Sequence, residues 1–135
     1  MVTLLRNQSY MTKQLKPTEG ELEILQVLWE KGKATVREVH ETILLSKEAG
    51  YTTTLKLMQI MFEKGLVTRN DSAKTHIFQA VVSKEKTQSQ FVSKMISGLF
   101  QGSSSQLIMQ ALGNHSPNKQ ELDEIQQLLD NLKNK

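Results

Sequence analysis

The stretch AGYTTTLKLMQIMFEKGLVTRNDSAKTHIFQAVV, residues 49–82, decides the fold. It opens with three consecutive threonines, Thr52, Thr53 and Thr54, placed between Gly50 and an apolar run of helical period. Threonine is a poor choice inside a helix, because its branched Cβ loses rotamer freedom against the preceding turn. The run closes at "EKG", which predicts a helix over 51–64 ending at Gly65. The period then changes. "GLVTRNDSAKTHIFQAVV" predicts two short strands, 66–69 and 75–82, around the turn residues Asn70, Asp71 and Ser72.

Two helices precede this segment. Thr18-x-x-Glu21, after Pro17, and Thr35-x-x-Glu38 are both capping boxes, in which a hydroxyl and a carboxylate satisfy free N–H groups at a helix start. The first opens a stripe of Leu22, Ile24, Leu25, Val27, Leu28 and Trp29 that stops at Gly32. The second opens "VREVHETILL", with Val36, Val39 and Ile43 on one side. Three helices followed by a β-hairpin is the order of a winged helix-turn-helix, whose third helix reads the DNA major groove. Adaptors that bind only protein can use the same order, so a protein-interaction adaptor without specific DNA binding stays open as the alternative.

The third helix bears on that choice. At 100° per residue, Thr54, Leu55, Leu57, Met58, Met61 and Phe62 form a packing arc. Thr52, Lys56, Gln59 and Glu63 form the opposite arc, with Thr53 and Ile60 at its edge. Hydroxyl, amine and amide groups bond phosphate oxygens and base edges without repelling them, which makes Thr52, Thr53, Lys56 and Gln59 DNA-binding candidates. Ile60 reads both as a contact to a thymine methyl and as a core residue. Arg69, Lys74 and His76 bracket the hairpin tip and suit a phosphate backbone, with Lys64 just before it; Asp71 runs against that reading. Equally open is the plainer view that Thr52 and Thr53 only cap the helix and that Lys56 and Gln59 are an ordinary solvated face.

The chain has 135 residues, 38% apolar and 23% charged, with a formal charge of +3. That is enough for one domain with an appended element, and the modest basic excess permits an anionic partner. No cysteine is present, which excludes disulfides, thiolate catalysis and thiolate metal sites. His40, His76 and His115 are isolated from further ligands at zinc spacing, so no catalytic residue, metal or cofactor is expected and the chain reads as no enzyme. His40 reads as a packing or surface residue. No apolar window reaches ~18 residues and the N-terminus lacks a signal-peptide core, so a cytoplasmic protein with no membrane partner is expected.

Residues 83–135 form a different region. "SKEKTQSQFVSKMISGLF" carries Phe91, Val92, Met95, Ile96, Leu99 and Phe100 on one stripe. "SSSQLIMQALG" adds Leu107, Ile108, Met109, Ala111 and Leu112, and "SPNKQELDEIQQLLDNLK" adds Leu122, Ile125, Leu128, Leu129 and Leu132. Three such helices in some fifty residues cannot bury their own apolar faces. A homodimer joined through Phe91, Met95, Leu99, Leu107, Ile108, Leu122, Ile125, Leu129 and Leu132 is the expected remedy; a helical extension packed back on the N-terminal domain is the other. The expected organisation is a flexible extension at 1–11, a winged-helix DNA-binding domain at 12–82 and a helical dimerisation domain at 83–135.

"KPTEGELEILQVLWEKGKATVREVHETI", "TTTLKLMQIMFEKGLVTR" and "THIFQAVVS" together resemble the penicillinase-repressor family, the BlaI and MecI type of bacterial winged-helix regulator, over residues 12–133. The resemblance implies a homodimer that binds a dyad-symmetric DNA operator, represses transcription and is inactivated by a regulatory protease coupled to a membrane sensor. Thr53 sits where that family commonly has threonine, whereas Leu55 and Ile60 stand where its staphylococcal members often have arginine or lysine, which implies a different operator sequence. The Asn-Phe bond cleaved in those members aligns with Gln110-Ala111 here. A copper-responsive branch of the family uses a cysteine-rich tail, which is missing from this chain. Met11, followed by "TKQLKPTEGE", matches the usual family start, so residues 1–10 read as an upstream extension that could bring Arg6, with Lys13, to phosphate.

Overall fold

The structure, a computed structural model, describes residues 17–72 and 74–135. The N-terminal extension expected at 1–11, with Arg6, Met11 and Lys13, lies outside the described residues. The order is α1 (Glu19–Lys31), α2 (Val36–Leu44), α3 (Tyr51–Lys64), β1 (Val67–Asn70), β2 (Ile77–Ala80), α4 (Lys84–Gly98), α5 (Ser104–His115) and α6 (Lys119–Lys133). The chain divides into two compact units, 1–87 and 88–135, and the division falls within α4.

Both capping boxes form. The Thr18 hydroxyl accepts from the Glu21 N–H while a Glu21 oxygen accepts from the Thr18 N–H, and Thr35 and Glu38 repeat the exchange at α2. Because Glu38 receives the Thr35 backbone N–H, helped by that residue's side chain, its carboxyl is held below the usual glutamate range. At the other end of α3, Gly65 takes a left-handed conformation (φ 84°), and its N–H and that of Leu66 return to the helix's last carbonyls. This closure explains why β1 starts at Val67 rather than Leu66, since the Leu66 N–H donates to the Met61 carbonyl at 2.9 Å.

The core of the first unit lies where α1, α2, α3 and the hairpin meet. Ile24, Leu25 and Leu28 from α1, Val39 from α2, Met58 and Met61 from α3, and Leu66 and Phe78 from the hairpin are all buried. These are the inward positions of the helical stripes, so period 3.6 in the sequence becomes one shared interior. β1 and β2 pair antiparallel with Arg69 opposite Phe78, and Ala34 adds a bridge to Phe78 through hydrogen bonds of 2.8 and 3.0 Å. The Trp29 indole N–H donates to the Val82 carbonyl at 2.9 Å, tying the end of the hairpin to α1.

One long-range ion pair fixes α3 against α1. Lys64 Nζ lies 2.8 and 3.0 Å from the two oxygens of buried Glu21, the same carboxylate that completes the first capping box. The sequence places Lys64 just before the wing; the structure gives its amine to buried Glu21. Removing Lys64 would strand the buried Glu21 carboxylate.

In the second unit the three predicted helices are present, and α5 and α6 contain no buried residue. Leu99 is 71% exposed and Leu132 is 55% exposed. Among the described residues, no helix is long and apolar enough to cross a membrane.

Candidate nucleic-acid interface

The start of α3 answers the question posed by its threonines. Gly50 is the N-cap, and no side chain caps the helix. Thr52 and Thr53 therefore do not spend their hydroxyls on capping, contrary to the plainer reading, and both are exposed. The Thr53 and Thr54 N–H groups both return to the Gly50 carbonyl. Thr54 differs from its two neighbours. It is buried, and its Oγ1 lies 3.0 Å from Nδ1 of His40 on α2. Each of the three threonines thus follows from the helical phase: two face outward, and one satisfies a buried histidine.

Lys56, Gln59 and Glu63 are exposed on the outward arc and Ile60 is half-buried at its edge. Leu55 and Leu57 pack against the core, while Met58 and Met61 are inside it. Phe62, which the sequence placed with the packing arc, is instead at the surface, with the Arg69 guanidinium carbon 4.3 Å from its ring centroid. A cation over the ring face keeps this aromatic from standing as bare apolar surface.

Beside α3 lies a cleft of about 660 Å³, walled by Thr35 and Arg37 at the start of α2, Tyr51 and Gln59 on α3, and Arg69, Lys74 and His76 on the hairpin. Of the residues singled out in the sequence, Gln59, Arg69, Lys74 and His76 meet in this cleft, whereas Thr52, Thr53, Lys56 and Ile60 are on α3 but do not line it. The cleft gathers two arginines and a lysine beside Tyr51, which makes its lining cationic.

Arg37 and Tyr51 are among the lining residues that the sequence did not single out. Arg37 lies 5.5 Å from the centroid of the Tyr51 ring, and Tyr51 in turn stands edge-on to His40 at 5.4 Å between ring centroids. Arg37, Tyr51, His40 and Thr54 thereby form a continuous series of contacts between α2 and the start of α3. The available signal was positional: Arg37 falls in the first turn after the Thr35 cap, and Tyr51 is the first residue of α3.

At the hairpin, Arg69 donates from Nε to Asp71 Oδ1 at 2.7 Å and from Nη2 to Oδ2 at 3.3 Å. His76 Nδ1 is 3.7 Å from the same Oδ1. The wing is thus less freely cationic than its sequence implies, and among the described residues no ion pair holds Lys74.

The penicillinase repressor family matches over residues 17–131, which takes in both units. The chain is 19% identical over 123 residues to the penicillinase repressor of Staphylococcus aureus, covering 91% of this chain and 98% of that protein. It is 22% identical over 116 residues to the methicillin resistance regulatory protein MecI of Staphylococcus aureus (strain N315) and, to the same extent, to MecI of Staphylococcus epidermidis, with 83% of this chain and 91% of each relative covered. With its three helices, its hairpin wing and a family match running through nearly every described residue, this chain belongs to the penicillinase repressor family of bacterial DNA-binding transcriptional repressors, proteins that act by binding rather than by catalysis.

Proposed function

We propose that the chain acts as a homodimer on a dyad-symmetric operator, each copy placing the outward arc of α3 in the major groove. In this reading Thr52, Thr53, Lys56, Gln59 and Ile60 meet base edges and adjoining phosphates. Arg37, Arg69, Lys74 and His76 follow the flanking backbone from the cleft. The observation that carries it is the uncapped start of α3, where two exposed hydroxyls and Lys56 stand beside a basic cleft and the helix offers no carboxylate before Glu63. A helix start left open in this way favours negative charge, and a phosphate has that charge.

The same reading assigns 12–82 to DNA binding and 83–135 to dimerisation. Support comes from the second unit's apolar residues, since Met95, Leu99, Ile108, Leu122, Leu129 and Leu132 are all exposed in the single chain. Two identical faces closing on each other would remove that surface from water and hold two α3 helices at a fixed separation. Phe91, Leu107 and Ile125 belong to the same stripes and are half-buried.

Relief of repression is assigned to proteolysis in α5, around Gln110 and Ala111. Both residues are exposed in the single chain, where α5 has no buried residue, so local opening of α5 to the extended chain a protease needs is opposed mainly by its closure on the second copy. Cleavage there would separate α6 from the DNA-binding unit, and each half-site would lose the reinforcement of the other.

A gel-shift titration against the DNA upstream of the chain's own coding region, with salt varied, tests this reading. The expected result is a preference for one site over unrelated duplex of about 10³-fold or more. Lys56→Ala should reduce affinity by about 1–3 kcal/mol, with Thr53→Ala acting in the same direction while the dimer stays folded. Weak binding indifferent to sequence would favour the protein-interaction adaptor.

A further inference from the structure

The wing contains a carboxylate where a DNA-binding surface has little use for one. Asp71 receives two hydrogen bonds from Arg69, Nε to Oδ1 at 2.7 Å and Nη2 to Oδ2 at 3.3 Å. That two-pronged arrangement is the one an arginine makes with a phosphate. Arg69 is further held by Phe62 of α3, whose ring lies under the guanidinium at 4.3 Å from guanidinium carbon to ring centroid, while Asp71 occupies Nε and Nη2 at its edge. His76 Nδ1 waits 3.7 Å from the same Asp71 oxygen, with Lys74 on the same cleft wall.

We propose that Asp71 is a specificity-determining residue that occupies Arg69 in place of a DNA phosphate. The inference rests on the DNA-binding reading above and gives it a further rule. Arg69 becomes a backbone contact only on a duplex whose docking on α3 brings a phosphate close enough to displace the Asp71 carboxylate. On a duplex that docks elsewhere, the pair stays closed and the wing contributes less attraction. Displacement does not strand the carboxylate, because Asp71 is half-exposed to water and has His76 as a second partner. Phe62 keeps the guanidinium in place during the exchange, so the swap needs rotation of one short side chain and no movement of the hairpin. Asp71 therefore lowers affinity for all DNA, and more so for the wrong DNA.

The test compares wild type, Asp71→Asn, Arg69→Ala and the double variant on two duplexes of equal length, one from upstream of the coding region and one of random sequence, at several salt concentrations. Asparagine keeps the shape of the side chain and removes its charge. The expected result for Asp71→Asn is an affinity gain of about three- to tenfold on random duplex and a smaller gain on the upstream duplex. Its salt dependence on random duplex should steepen by about one phosphate contact. The gain should vanish in the Arg69→Ala background, which separates freeing of Arg69 from the loss of one negative charge. Glu30→Gln, which removes an equal charge from the exposed side of α1, should give no comparable gain. If Asp71→Asn binds both duplexes equally to wild type or more weakly, Asp71 merely positions Arg69 and the proposal is overturned, while DNA binding stands. If wild type binds neither duplex at low salt, the DNA-binding reading falls and takes this role with it. Unchanged melting of Asp71→Asn confirms that the comparison is between folded proteins.

Discussion

The two units of this chain use apolar residues in opposite ways. Between Ile24 and Phe78 they close into an interior where Leu25, Val39, Met58, Met61 and Leu66 have no solvent exposure at all. From Gln88 onward the helical stripes are as regular, yet α5 and α6 have no fully buried residue. The difference teaches that helical periodicity fixes where an apolar face points but not what covers it. In the first unit α1, α2, α3 and the hairpin cover one another. In the second, on our reading, the cover is a second copy of the chain.

Truncation after Ser105 breaks the comparison most severely. Loss of α5 and α6 should leave the winged-helix unit folded while operator affinity falls by about 10²–10⁴-fold, the reinforcement that linkage of two binding modules supplies. The chain's one tryptophan, Trp29, lies in the first unit with its indole bonded to Val82, so its fluorescence reports the fold of the part that remains. Full operator affinity in the truncated form would refute the dimer account. Next in size is a pair of large-to-small substitutions. Met58→Ala should lower the stability of the first unit by about 2–5 kcal/mol in denaturant titration followed through Trp29, because its cavity cannot collapse. Leu132→Ala should leave that transition within about 0.5 kcal/mol of wild type, being an exposed residue of the other unit.

Much of the first unit was legible in its sequence because its signals are local. Thr18 and Thr35 have their partners three residues away, and Gly50 and Gly65 bracket α3 at the ends its pattern predicts. Contacts made across the fold left no such signal. Lys64 and Glu21 are 43 residues apart, and nothing near either one marks the pairing. His40 and Thr54 lie on different helices, so the burial of one threonine among three follows from phase while its partner does not. Asp71, two residues from Arg69, stands out in sequence as the discordant charge of the wing, whereas only the geometry brings Phe62 to Arg69. The second strand came out shorter than expected, 77–80 in place of 75–82, because Thr75 and His76 lie outside the ladder and Val82 gives its carbonyl to Trp29, while the first keeps its length but runs 67–70 in place of 66–69, taking in Asn70, which reads as a turn residue in the sequence.

The smallest effect concerns the start of α2 and sharpens the first unit's side of the comparison. Thr35→Ala should cost about 1 kcal/mol at neutral pH, the usual loss for an N-cap hydroxyl. The carboxyl of Glu38 is held below its ordinary value of 4.5 by hydrogen bonds from Thr35. A depressed carboxyl contributes stability that is fully present above the unfolded-state value and disappears as pH falls through the folded-state value. Because Thr35→Ala keeps the backbone N–H that is the larger cause, the variant that reads this effect is Glu38→Gln: its penalty should be full at pH 7 and shrink as pH falls below about 4.5, measured as the difference between wild-type and variant melting curves.

The central claim is that the second unit's apolar faces close on a second copy and so hold two α3 helices for one duplex. Sedimentation velocity of the full chain at micromolar concentration tests it most directly. The account predicts a two-chain species that Leu129→Asp converts to single chains, with Trp29 fluorescence unchanged. A wild-type chain that sediments alone at that concentration and still binds its upstream site at full affinity would contradict it.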